Sequence, residues 1–219
     1  VMEFLLINHP LDCPVCDQAG ECELQDYSFS HGPDRSRFHE QKSIQPKKDV
    51  GEHIMLYSDR CIQCTRCVRA CREVQANDVI GFAARGARSH IVFDLGDPLG
   101  ASSCVACGEC VQACPTGALM PAGVGPADGV ERAVDSVCPY CGVGCAVDMM
   151  SRDGVVVGIQ PAMDGPANEG ALCVKGQFAY DYVQHPDRLT TPLIRGADGA
   201  LHPASWDDAL DDRDWILGD

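Results

Sequence analysis

Hydrophobic and polar positions along this chain keep changing period, and no apolar or polar pattern holds for long. Short stretches rich in β-branched and aromatic residues at His53 to Tyr57, Ser89 to Phe93, Cys145 to Met150 and Val155 to Ile159 predict strands. Glu23 to Ser30 and Val68 to Gln75 predict short helices, each beginning at or beside a cysteine. From Leu172 to Val183 the apolar positions Val174, Phe178 and Val183 predict one more helix, with Pro186 beyond its end. The result is a mixed α+β pattern of small elements. Near the end, Trp206 and Leu210 share a helical face, but Asp211 to Asp214 is highly charged and Trp215 falls out of step. The Gly- and Pro-rich PAGVGPADG at 121–129 reads as a linker between two domains. Its glycines do not follow G-x-G-x-x-G, and no strand leads clearly into a helix there, which argues against a dinucleotide site.

Composition changes this picture through the cysteines. Aromatic residues make up only 6% of the 219 positions, against 22 Gly and 14 Pro, so large apolar cores are not expected. Fifteen cysteines offer another source of stability, because metal centres can staple folds that bury too little apolar surface. The odd count argues against a disulfide framework. Zinc sites draw their ligands in separated pairs, whereas here three cysteines recur within seven residues, a spacing that grips three corners of one cuboidal iron–sulfur cluster. The formal charge of −15 makes nucleic acid an unsuitable partner; an acidic face can orient a redox partner or simply be a solvated surface. No run reaches the roughly 20 apolar residues that a transmembrane helix needs, and no signal peptide opens the chain, so a cytoplasmic location is expected.

Four cysteine-bearing segments follow one another. HPLDCPVCDQAGEC places His9, Cys13, Cys16 and Cys22 at H-x3-C-x2-C-x5-C, four ligands for a first cluster. A neutral imidazole in place of a thiolate leaves such a cluster one charge unit less negative; the competing reading is a loop histidine beside three cysteines. CIQCTRCVRAC at 61–71 and CVACGECVQACP at 104–115 repeat C-x2-C-x2-C-x3-C. In two-cluster ferredoxins with this spacing the fourth cysteine of each run crosses to the other cluster. Cys61, Cys64, Cys67 and Cys114 are therefore expected on a second cluster, and Cys71, Cys104, Cys107 and Cys110 on a third. Arg66, Arg69 and Arg72 either offset cluster charge or lie on a solvated helix face. The last set is CPYCGVGC followed at a distance by Cys173, giving Cys138, Cys141, Cys145 and Cys173 for a fourth cluster. The distant ligand requires the intervening chain to fold back, which couples iron binding to folding, and Gly142 and Gly144 are expected to bring backbone close to the sulfurs. A zinc ribbon is the alternative here, without its usual paired spacing.

These motifs together resemble the α subunit of cytoplasmic, NAD-dependent, molybdenum- or tungsten-containing formate dehydrogenases. HPLDCPVCDQAGECELQD is shared by that subunit, the large peripheral-arm subunit of respiratory complex I and [FeFe] hydrogenases. The double four-cysteine repeat weighs against complex I, and CPYCGVGC with ALCVKGQFAYDYVQHPDRLTTPLIR, similar to the opening domain of bis-pterin molybdenum enzymes, weighs against hydrogenase.

The resemblance implies an α+β architecture of three cluster-binding parts: a histidine–cysteine [4Fe–4S] module over 1–40, a two-cluster bacterial ferredoxin-like domain over 41–120, and, after a linker at 121–131, a small β-rich [4Fe–4S] domain of the molybdopterin oxidoreductase type over 132–190. Residues 191–219 would be the truncated start of the molybdopterin domain. It also implies four [4Fe–4S] clusters, with a molybdenum or tungsten bis-molybdopterin guanine dinucleotide in the full-length protein. Lys175, in CVKG, would relay electrons from the pterin to the last cluster, unless it is an ordinary surface lysine. Electrons would then pass through the ferredoxin pair, leave by the His9 cluster, and reach flavin/NAD-binding and [2Fe–2S] partner subunits. The family's upstream [2Fe–2S] domain and its catalytic metal ligand have no counterpart in the chain, so no catalytic residue is assigned. A fragment inactive alone is expected. The alternatives are the iron–sulfur subunit of an NADH:quinone oxidoreductase and a stand-alone ferredoxin-like carrier.

Overall fold

A computed structural model describes residues 1–45, 51–122 and 130–211. Most of the linker predicted over 121–131, and everything after Asp211, including Trp215, lies outside the described residues. The chain divides into two compact units, Val1–Tyr180 and Asp181–Asp219.

The first unit opens with helix α1 (Met2–Leu6), a single turn of 3-10 helix at Cys13–Val15, and α2 (Glu23–His31). Pro14 suits that 3-10 turn because its missing N–H would have no helical partner there. The middle region comprises β1 (Ile54–Leu56), α3 (Arg66–Arg69), β2 (Ile80–Ala83), β3 (His90–Phe93), α4 (Glu109–Gln112) and β4 (Leu119–Pro121). Two antiparallel ribbons form, β1 with β4 and β2 with β3, in the registers Met55↔Met120 and Gly81↔Val92. Their inward residues Ile54, Leu56, Ile80, Ile91, Phe93 and Leu119 meet Cys67, Cys71 and Cys110 in one core. Three further strands, β5 (Arg132–Val137), β6 (Ala146–Arg152) and β7 (Val155–Pro161), form an antiparallel sheet. The β6–β7 hairpin turns at Asp153-Gly154, both at positive φ, the conformation a two-residue type I′ turn demands. Val147 on β6 packs with Cys138 and Leu172 in a second small core.

The helix expected over Leu172 to Val183 is shorter. Helix α5 spans only Val174–Phe178, and Ala179 leaves helical geometry at φ −96°, ψ 57°. Side-chain contacts override the apolar period. Phe178 stacks on His53 at a centroid distance of 5.4 Å, Gln177 donates from Nε2 to the Ile159 carbonyl, and Tyr180 donates to the Val157 carbonyl. The helix expected over Val68 to Gln75 is α3, continued by a π turn at Ala70–Val74 that presents Cys71. The second unit holds a ribbon of β8 (Leu193–Arg195) and β9 (Leu201–Pro203), then α6 (Trp206–Asp211), on which Trp206 and Leu210 are both exposed. No helix among the described residues is long and apolar enough to cross a membrane.

Ile54 is fully buried whereas Leu95 is fully exposed. Ile54→Ala should therefore destabilise the first unit by about 2–5 kcal/mol, lowering the urea concentration at which the visible iron–sulfur absorbance disappears, while Leu95→Ala leaves that midpoint unchanged.

Candidate metal centres

Backbone conformation aims the two cysteine runs. Gln63 and Thr65 in the first run, and Ala106 and Gly108 in the second, all adopt left-handed φ, at 57°, 63°, 51° and 85°. Non-glycine residues pay strain for this, and here the strain turns amides toward sulfur. Gln63 N–H donates to Cys61 Sγ at 3.4 Å, and Ala106 N–H donates to Cys104 Sγ at 3.3 Å. Val79 N–H donates to Cys71 Sγ at 3.4 Å from the far side of the π turn. Equivalent positions of the repeat thus repeat both the strain and the hydrogen bond.

The thiols of the two runs also act on one another. Burial pushes Cys61 up to about 11 and Cys67 up to about 12, reinforced by the charges of Cys114 and Cys64. Burial raises Cys104 and Cys107 as well, with Cys71 acting on both. Cys110, the most enclosed, is raised well above the ordinary thiol value by burial, with Cys107, Cys67, Cys104 and Cys71 around it. Cys114 therefore sits with the first run and Cys71 with the second, while Cys67 and Cys110 bring the two sets side by side.

The last four cysteines also converge. Cys138 N–H donates to the Cys145 carbonyl at 2.9 Å, and burial, followed by the charges of Cys138, Cys141 and Cys173, raises Cys145. Cys173 is shifted the other way, lowered chiefly by the Gly176 N–H, then by the Lys175 N–H and ammonium. Lys175 itself is exposed at the start of α5. A Cβ on Gly142 or Gly144 would meet nothing within 4 Å, whereas one on Gly176 would lie 3.5 Å from Cys138 Sγ and 3.3 Å from Leu172. The glycine that approaches a cysteine sulfur in this region is Gly176, which the motif alone did not single out.

His9, Cys13 and Cys22 line one cleft of about 530 Å3 between α1 and α2, and Cys16 joins the set through its electrostatic contact with Cys22. His9 is half-buried, its Nδ1 is enclosed without a hydrogen-bond partner, and burial lowers its pKa. A neutral imidazole with an unspent nitrogen suits a metal ligand. Lys42 steadies this loop by donating from Nζ to the Leu6, Ile7 and His9 carbonyls at 3.0, 3.2 and 2.6 Å. A Cβ at Gly117 would come within 2.5 Å of Cys16 Sγ, so only glycine permits this approach.

None of the fifteen cysteines is joined in a disulfide. Among the described residues no trio of His, Cys, Asp or Glu closes tightly enough for a single metal ion. Ligands at the corners of a cuboid stand farther apart than ligands on one atom. Arg66 pairs with Glu23 at 2.9 Å and Arg72 with Asp78 at 2.6 Å, all of them well exposed, as expected of solvated helix positions.

Two outcomes follow from these contacts. Cys61 and Cys67 are protonated at neutral pH and must lose protons to bind iron, so iron retained by the middle region against a chelator should rise from about pH 7 to about pH 9. Gly117→Ala should remove one cluster's share of iron, the share assigned to His9, Cys13, Cys16 and Cys22, and spare the rest, as read by iron analysis.

Comparison with known proteins gives a match for each of three regions. Residues 1–37 match the NADH-ubiquinone oxidoreductase-G iron-sulfur binding region. Residues 51–120 match the ferredoxin-like domain of NADH-quinone oxidoreductase subunit 3, and residues 131–185 the molybdopterin oxidoreductase Fe4S4 domain. A G-type NADH-quinone oxidoreductase protein of Rhizobium meliloti is 40% identical over 96% of this chain and 25% of its own length. Its counterpart in Streptomyces coelicolor is 42% identical with the same coverage. A Staphylococcus haemolyticus protein provisionally named a formate dehydrogenase is 33% identical, again over 96% of this chain and 25% of its own length. The chain therefore spans about a quarter of the length of these relatives. Among solved structures, an NAD+-reducing [NiFe]-hydrogenase chain superposes with a TM-score of 0.53 at 26% identity, covering 60% of this chain and 56% of that one. The domain that spans both cysteine runs is thus named for an NADH-quinone oxidoreductase subunit, so the double repeat does not by itself set the chain apart from complex I. Region by region, the chain is similar to the iron–sulfur domains of NADH–quinone oxidoreductase G-type proteins and of molybdopterin oxidoreductases.

Proposed function

We propose that this chain is the electron-relay segment of a multi-subunit NAD(P)-linked oxidoreductase of the NADH–quinone oxidoreductase G type, holding four [4Fe–4S] clusters on His9 and the fifteen cysteines. The observation that carries this reading is the packing of successive ligand sets within the single unit Val1–Tyr180. Each set touches the next through named contacts. Gly117, just past Cys114, lies against Cys16 Sγ, Cys67 neighbours Cys110, and Gln112 on α4 donates to Gln177 on α5 at 2.6 Å. Bound clusters would supply one-electron storage without substrate chemistry. The protein's part is to fix their spacing, exclude water with Ile54, Leu56 and Leu119, and donate amide hydrogen bonds to the ligand sulfurs. No described residue is assigned a catalytic role. Flavin/NAD-binding and [2Fe–2S] subunits are the partners this reading calls for, with a cytoplasmic location.

A second reading, the α subunit of a formate dehydrogenase, is favoured by one feature. The Cys138, Cys141, Cys145 and Cys173 set is complete, and Lys175 stands beside Cys173 where a pterin-facing relay would be needed. On that reading a molybdenum or tungsten bis-molybdopterin guanine dinucleotide belongs to the full-length protein. An assay of a full-length protein carrying this segment separates the two. NADH-dependent quinone reduction without molybdenum or tungsten supports the first; formate oxidation with one of those metals bound supports the second.

For the ligand scheme, anaerobic reconstitution should give about sixteen iron atoms per chain and four paramagnetic centres on full reduction. His9→Ala should lower the iron content by about four atoms or change one EPR signal alone. About twelve atoms in the parent, with no change in the variant, would show that His9 is no ligand.

A further inference from the structure

Among the described residues, Arg60 is the only charged side chain in the buried class, at 5% exposure. A guanidinium enclosed this way needs compensation. Part of it comes from Asp12, whose Oδ2 accepts from Nη2 at 2.6 Å and from Nε at 3.1 Å. Part comes from the Tyr57 ring, whose centroid lies 4.3 Å from the guanidinium carbon. The Thr116 hydroxyl donates to the Arg60 carbonyl at 2.9 Å and fixes the backbone. Nη1, however, is buried without any hydrogen-bond partner. Its two N–H groups are unspent, in a side chain that stays charged at every relevant pH.

The surroundings show where that charge acts. A point beside Gly117, where a Cβ would stand, lies 2.5 Å from Cys16 Sγ and 3.5 Å from Arg60 Cδ. The Arg60 charge acts on both Cys16 and His9. Its sequence neighbour Cys61 instead feels Cys114 and Cys64. Although Arg60 directly precedes the second ligand set, it faces the first.

We propose that Arg60, held in place by Asp12, is a positioning residue that raises the reduction potential of the cluster carried by His9, Cys13, Cys16 and Cys22. This rests on the ligand reading above. A reduced cluster carries one more negative charge than an oxidised one, so a fixed cation and unspent donors beside it favour reduction. Replacing one thiolate by His9 acts in the same direction, and Asp12 acts in the opposite one. An ion pair that merely fastened the first region to the second would treat its two partners alike.

The test is an EPR-monitored redox titration of the full, cluster-loaded chain, with the histidine-ligated cluster identified by its nitrogen hyperfine coupling. Arg60→Gln should move that cluster's midpoint to lower potential and leave the other three in place. Arg60→Lys, which keeps the charge, should stay nearer to the parent. Asp12→Asn should move the same midpoint upward, and it carries the test if Arg60→Gln loses the cluster. An unshifted midpoint in Arg60→Gln with parental iron content overturns the proposal, as does a downward shift in Asp12→Asn. A parent chain lacking any nitrogen-coupled signal overturns the His9 ligand reading, and this inference with it.

Discussion

Cys67, Cys71 and Cys110 share their core with Ile54, Leu56 and Leu119, and the constraint that a core be built partly of thiols governs the rest of the molecule. Buried thiols resist ionisation, as Cys61 and Cys67 show with values near 11 and 12. Iron is what makes their ionised form tolerable in such a site. Strands of three or four residues pack around these sulfurs, and neither two-stranded ribbon could hold a fold alone. The proposed crossing of Cys71 and Cys114 between the two runs would tie both ribbons to the same pair of centres.

The same logic extends to both sides of the middle region. Toward the amino end, Gly117 and the buried Arg60 bring the His9 loop against the segment that follows Cys114. Toward the carboxyl end, the buried Gln177 joins α4, through Gln112, to the Ile159 carbonyl on β7. These polar links are few and buried, so each fixes a spacing between neighbouring ligand sets. A relay depends on such spacings, because no residue in it needs to touch a substrate.

Much of this organisation is written in cysteine spacing, since a ligand run dictates its own loop. The repeat is what suggests the crossing of Cys71 and Cys114, and α2, β1, β3, β6 and β7 lie within a few residues of where the pattern puts them. What escaped detection did so for physical reasons. Strand β5 is exposed or half-exposed along its whole length and is held by backbone pairing to β6, so no apolar alternation marks it. The overlong helix at Leu172 to Val183 met the opposite problem: its period is genuine, but Phe178, Gln177 and Tyr180 are committed to partners outside the helix. Arg60 reads in sequence as one more surface cation, and only its burial gives it a role. Gly117 and Gly176 carry no sequence mark either, because the sulfurs they approach belong to distant segments.

The crossed pairing is the claim on which this account most depends, and paired substitution tests it directly. Iron content and EPR spin quantitation would be measured for Cys61→Ser, Cys114→Ser and the double variant. If Cys61 and Cys114 serve one cluster, the double variant loses no more than either single one. Loss of two clusters in the double variant, one from each substitution, would contradict the crossing.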